Sequence, residues 1–122
     1  MREAPRLRGL LLPADGVSMR MILVAGLALL GAANARADEA SLSLGKKVFL
    51  EISQPQCGLC HSLADAGATG AVGPVLDELR PTADRVRTAV INGIGPMPPN
   101  SVLTKEQIEA VALYVSSVAG KK

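Results

Sequence analysis

Cys57-Gly58-Leu59-Cys60-His61 sets two thiols three residues apart, with an imidazole directly after them. Three chemistries use such residues: a redox disulfide, half of a zinc site, and covalent attachment of a haem. A structural zinc site takes four ligands. The chain holds two Cys and one His, with no second C-x-x-C and no paired histidines. A thioredoxin-like pair belongs in a βαβ setting, and no such alternation is present. A plain disulfide is compatible with an exported chain, although it gives His61 no role. C-x-x-C-H is also the attachment signature of c-type haem. Two thiols so spaced can add to the two vinyl groups on one porphyrin edge. The next residue then reaches under the ring, where imidazole is a good axial ligand for iron. The leading reading is one covalently attached haem c, held by Cys57 and Cys60, with His61 on the metal.

A second axial ligand emerges from inventory. Met1, Met19 and Met21 fall in the first 21 residues, and Met97 is the only other methionine. It sits in Gly93-Ile94-Gly95-Pro96-Met97-Pro98-Pro99, where prolines reduce the entropy lost in presenting a side chain. A thioether is a suitable haem ligand, and a His/Met pair raises the reduction potential. The alternative role for Met97 is a flexible core filler. An iron left open by such a Met would make the chain a haem enzyme or gas sensor instead.

Gly67, Gly70 and Gly73 form G-x-x-G-x-x-G after the motif. This is not G-x-G-x-x-G, and neither a strand before it nor a Lys after it supports a phosphate loop. A tight passage past the ring edge, where only small residues fit, explains the glycines better.

Three helices must position these groups. Leu42, Leu44, Val48, Phe49 and Ile52 recur at helical spacing over Ser41–Ile52. Pro55 ends that run, because proline disfavours helix in the residue before it. Pro81-Thr82-Ala83-Asp84 opens a second helix, and Gly93 is its expected C-cap. Thr104-Lys105-Glu106-Gln107 matches a capping box, and Ile108, Val111, Ala112, Val115 and Val118 keep the 3.6-residue period. Ser62–Leu79 and Ile94–Leu103 read as loops, with no strand. Long irregular loops in a small domain usually serve a function, and here they can wrap a cofactor. The expected fold is all-α, three main helices with loops around one haem.

The first third of the chain differs in composition. Ile22–Ala33 is twelve residues without charge, preceded by Arg20 and followed by Ala35-Arg36-Ala37. A basic flank, a short apolar core and an A-x-A end make a secretory signal peptide. Twelve helical residues cover about 18 Å against a hydrocarbon core of about 30 Å. The expected organisation is a leader over 1–37, cleaved after Ala37, and a functional domain over 38–122 with no stable membrane span. Met19 or Met21 is the expected start. Residues 38–122 carry eight bases and nine acids, a net charge of −1, so the positive balance of the whole chain belongs to the leader. No basic patch interleaves with aromatics, so nucleic acid is not an expected partner. Phe49 and Tyr114 are the only aromatics. A domain this small and poor in aromatic bulk gains from a large flat apolar cofactor at its centre.

On Gly45…Phe49, Cys57–His61, Gly73-Pro74-x-Leu76, Asn92-Gly93…Met97-Pro98 and Tyr114-Val115, the sequence resembles the class I, single-haem cytochromes c over nearly all of 42–119. Leu63 to Pro74 and Leu76-Asp77-Glu78-Leu79 are most similar to the cytochrome subunits of bacterial sulfite dehydrogenases. The resemblance implies an electron carrier rather than an enzyme, located in the periplasm. Its partners would be redox proteins: a dehydrogenase as donor, and a terminal oxidase or another cytochrome as acceptor. It also implies that Gly45 and Phe49 pack against Tyr114, that the Pro74 carbonyl accepts a hydrogen bond from His61, and that Leu76 packs on the haem. The chain departs from mitochondrial-type members in lacking Trp and a lysine-rich face. Arg80 is the candidate to neutralise a haem propionate. Lys46-Lys47 and Asp77-Glu78 read as solvated faces.

Overall fold

The structure is a computed structural model and describes residues 34–121. The leader's apolar run and the candidate starts at Met19 and Met21 lie outside the described residues. Helix α1 covers 34–47 and widens into a π-helical turn at Val48–Ile52. It begins seven residues before the expected Ser41, and 34–40 are all exposed. The apolar stripe starts at Leu42, so the earlier turns carry no core face and gave no periodic signal. The compact unit begins at Asn34, so a cut after Ala37 would fall in these exposed turns.

Helix α2 is the single turn Cys57–Cys60. Strands β1 (Ser62–Leu63) and β2 (Ala68–Thr69) then pair antiparallel, Ser62 with Thr69 and Leu63 with Ala68, around a 3₁₀ turn at Ala64–Ala66. Gly67 closes that turn at φ 62°, a left-handed conformation that glycine adopts without steric cost. Helix α3 is Leu76–Leu79, α4 is Ala83–Asn92 and α5 is Lys105–Val118. The segment expected as a strand-free loop thus contains a two-stranded ribbon and a helical turn. Two-residue strands are too short for an alternating pattern to register.

The capping expectations hold. Thr82 Oγ accepts from the Arg85 amide at 3.2 Å, and Gly93 ends α4 at φ 69°. The capping box on α5 is complete: Thr104 Oγ accepts from the Gln107 amide at 3.2 Å, and Gln107 Oε1 accepts from the Thr104 amide at 2.9 Å. Each cap satisfies donors that a helix start leaves orphaned.

The core lies where α1 crosses α5. Val48, Phe49, Val111, Tyr114 and Val115 are buried there, and Leu63 joins them from the ribbon. The Phe49 and Tyr114 rings meet edge to face, centroids 6.3 Å apart and planes at 64°. Such a geometry adds about 0.5–1.5 kcal/mol beyond area burial. A Cβ built on Gly45 would sit 2.8 Å from the Ala110 carbonyl carbon and against Tyr114 Cβ. Glycine is therefore what lets these two helices touch backbone to backbone, as expected for Gly45 and Phe49 against Tyr114. Arg87 of α4 makes a bidentate bridge to Glu109 of α5 at 2.6 and 2.7 Å and also contacts Asp84.

Two carboxylates expected on solvated faces, or passed over, hold the loops to the helices. Asp77 accepts from the Ala64 amide at 2.8 Å and the Gly120 amide at 2.9 Å, so it ties the ribbon to the end of α5. Asp65 accepts from Tyr114 Oη at 2.5 Å, and Lys46 Nζ donates to the Asp65 carbonyl at 2.7 Å. Lys46 and Asp77 are therefore structural contacts, whereas Lys47 and Glu78 do face solvent. The Tyr114 bond, with Lys46, holds the Asp65 carboxyl below its ordinary 3.8, and the Gly120 and Ala64 amides do the same for Asp77. A lowered folded-state value means stability present above about 3.8 and lost as pH falls through the folded value. Urea midpoints should therefore drop below about pH 4, and the acid limb should be shallower in Asp65→Asn. Burial and the Asp65 contact push the Tyr114 phenol far up. Its contribution is intact below pH 10 and declines above it.

Candidate haem site

The one-turn helix α2 sets the spacing of the motif. The His61 amide donates to the Cys57 carbonyl at 2.9 Å, which closes the turn and carries Cys57 and Cys60 on one side of it. His61 then leaves in extended conformation, φ −112° and ψ 139°. Both cysteines are half-buried free thiols, so no disulfide joins them. Burial raises the Cys57 thiol above its ordinary value, partly offset by a hydrogen bond from Ser53.

The glycine run folds back over the motif. The Gly73 amide donates to the Cys60 carbonyl at 2.7 Å. A Cβ on Gly70 would lie 2.6–2.7 Å from the Cys60 and His61 backbone, and one on Gly73 would lie 2.6 Å from His61 Cε1. The expectation that only small residues fit this passage is met at Gly70 and Gly73, with the motif backbone and the His61 ring as the obstacles, but not at Gly67, where a Cβ would meet nothing within 4 Å.

His61 Nδ1 lies 2.9 Å from the Pro74 carbonyl oxygen. A carbonyl can only accept, so Nδ1 is the donor, which in the neutral ring leaves the lone pair on Nε2. This is the tautomer a metal-ligating imidazole needs, and such an outer contact fixes ring orientation. Leu76 is 7% exposed and belongs to the core cluster. Met97 is held by a tight turn: Ile94 and Met97 exchange both backbone hydrogen bonds, at 3.0 and 2.9 Å, around Gly95 at φ 54°. Its side chain is half-buried against the same core cluster. The structure thus brings Cys57, Cys60, His61 and Pro74 together and sets Leu76 and Met97 on separate elements. Arg80 Nε points to the Asp77 carbonyl at 3.4 Å and lies against Gly120. Sequence reasoning missed Ser53, which contacts Cys57. A hydroxyl four residues ahead of a short helix was the available signal.

These residues fit a covalent haem. Two free thiols share one side of a helical turn, an imidazole whose Nδ1 donates to a carbonyl comes directly after them, and Gly73 stands where a Cβ would push that imidazole aside. Leu59 and Val72, 63% and 80% exposed, add apolar surface on the motif and on its covering loop. Among the described residues no three His, Cys, Asp or Glu side chains gather as a metal cage, and no helix is long and apolar enough to cross a membrane.

Comparison with known proteins agrees. The family model described as cytochrome C oxidase, cbb3-type, subunit III matches residues 40–115. The solved structure of the c-type cytochrome SorU from Sinorhizobium meliloti is 70% identical, with a TM-score of 0.67, covering 68% of this chain and 95% of that one. No curated protein sequence matches the chain. With the family match running from within α1, through the whole C-x-x-C-H loop, into α5, this chain belongs to that cytochrome family, as an all-α, electron-carrying c-type cytochrome with one covalently bound haem c.

Proposed function

We propose that the protein is a periplasmic electron carrier whose haem iron is ligated by His61 and Met97, and that a dehydrogenase supplies its electrons. The observation that carries the axial assignment is the His61–Pro74 contact, which leaves Nε2 free and aimed by a fixed ring. Bound haem c supplies a one-electron Fe(III)/Fe(II) couple. The chain does the rest. Cys57 and Cys60 fix one edge of the ring, Pro74 holds the imidazole, and the Ile94–Met97 turn presents the thioether. Sulfite dehydrogenase is the donor class favoured by the Leu63–Pro74 and Leu76–Leu79 segments. The leader's charge and A-x-A pattern support the periplasm.

The test is Met97→Ala on holoprotein prepared from the periplasmic fraction. The potential should fall by at least about 0.1 V, since axial ligands set haem potentials over roughly 0.8 V. The ferrous variant should bind carbon monoxide quickly, whereas the parent should not. An unchanged potential would sink the Met97 assignment, fast binding by the parent would favour the open-site enzyme or sensor, and recovery with membranes alone would overturn the location.

A further inference from the structure

Ser53 has no solvent exposure, a buried polar side chain in a core that is otherwise largely apolar among the described residues. The π-helical turn puts it there. Its amide donates to the Val48 carbonyl at 3.1 Å, five residues back, and the chain then turns to φ −64°, ψ 148°. A one-residue widening of this kind re-aims the residues after it, and such turns are frequent at functional sites. Here it directs a hydroxyl at the haem-attachment cysteine. Ser53 Oγ accepts from the Cys57 amide at 3.1 Å and lies 3.2 Å from Cys57 Sγ.

The donors and acceptors can be assigned. A serine hydroxyl has one proton and two lone pairs. One lone pair is taken by the Cys57 amide, so the proton is free for the sulfur. In the thiol state either atom can donate in the O···S contact. Thioether formation breaks the S–H bond, forms an S–C bond at the inner vinyl carbon and delivers the proton to the terminal one, with no net oxidation. The thioether sulfur can then only accept. The Ser53 O–H suits that state without moving, and a buried hydroxyl keeps both partners before and after attachment. Cys60 has no such contact among the described residues.

We propose that Ser53 is a positioning residue for the Cys57 thioether, holding the sulfur through an O–H···S hydrogen bond while its oxygen anchors the Cys57 amide. This rests on covalent attachment at Cys57 and is independent of which residue binds the iron on the Met97 side. It makes the two thioethers inequivalent: the Cys57 sulfur is held by a side chain from within the core, and Cys60 is held through its backbone, by the helical turn and the Gly73 amide.

Ser53→Ala, Ser53→Thr and Val48→Ala test it, each expressed as the full chain in a host that matures c-type cytochromes. Val48 is fully buried beside the same turn, and its truncation removes packing without touching a hydrogen bond. Each product is denatured, alkylated with iodoacetamide and peptide-mapped, and its pyridine haemochrome spectrum is recorded. Ser53→Ala should raise the alkylated, unattached Cys57 fraction several-fold, with Cys60 still attached and the haemochrome band moved to the red. Ser53→Thr should restore attachment, and Val48→Ala should lower stability with both thioethers complete. Complete attachment at Cys57 in Ser53→Ala would overturn the proposal. Equal loss at Cys57 in Val48→Ala would do so too, as would failure of Ser53→Ala and Ser53→Thr alike to yield holoprotein, since each makes packing the whole role of Ser53.

Discussion

Gly73→Val should leave the haem attached but strip the His61 ring from its alignment. The Cβ alone would lie 2.6 Å from Cε1, 2.8 Å from Nδ1 and 3.1 Å from Nε2 of that ring. Those are side-chain atoms, so the ring can rotate away, but rotation breaks the 2.9 Å bond to Pro74. The alternative is for the backbone to move, and that breaks the Gly73–Cys60 bond at 2.7 Å instead. Either path disturbs the proposed ligand, at roughly 1–3 kcal/mol for overpacking a fitted site. The low-spin absorption spectrum should weaken markedly toward that of His61→Ala, while acid–acetone extraction still leaves the haem on the protein. Gly67 supplies the control. A Cβ there meets nothing within 4 Å, so Gly67→Ala carries only the strain of φ 62°. It should lower the melting temperature and leave the spectrum alone. Equal spectral change in both variants would remove the steric account.

The other large effect is at Gly45, where two principles disagree about sign. Alanine is the better helix former by about 0.8–1.0 kcal/mol, so propensity alone makes Gly45→Ala stabilising. Packing opposes it, because the new Cβ would meet the Ala110 carbonyl group, its carbon at 2.8 Å. That obstacle is backbone inside a helix and cannot rotate aside, so the whole crossing must open. The helices carry the Phe49–Tyr114 pair and Val48, Val111 and Val115 with them. The packing loss wins, with a net cost of about 2 kcal/mol. A domain this small should lose roughly 8–16 °C in Tm. Calorimetry or thermal circular dichroism decides it, and a raised Tm would show that the helices separate at little cost. Gly45→Val should be worse, since its branched side chain fits neither the crossing nor the helix.

The parts of the fold legible in the sequence were those written in local periodicity and caps. Thr104 with Gln107, and Pro81-Thr82 with Gly93, marked two helices to within a residue, because capping hydrogen bonds span three or four positions. The attachment motif was legible for the same reason: its chemistry is packed into five consecutive residues. What escaped was long-range or very short. Asp77 binds amides 13 and 43 residues away in sequence, and Asp65 reaches Tyr114 over 49 residues. Nothing adjacent to either aspartate announces a partner, so both looked like ordinary surface charge. The ribbon at Ser62–Thr69 has strands of two residues, and the π turn differs from an α-helix by one hydrogen-bond register. Ser53 depends on that register, which is why its contact with Cys57 emerged only from the structure. The glycine run lay between these cases: its need for small residues was legible, and the atoms that impose the need were not.

The meeting of α1 and α5 at Gly45 and Ala110 also sets an order of events. The two residues are 65 positions apart (110 − 45). A chain that emerges from its N-terminus exposes the attachment motif long before the last helix is available. Until Ala110 and Tyr114 arrive, Phe49 has no ring to meet and Asp65 no phenol to bind. The loop that carries Cys57, Cys60 and His61 lacks those contacts for that interval. The final helix therefore acts as a latch: the loop is sealed only when Ala110 and Tyr114 reach Gly45, Phe49 and Asp65.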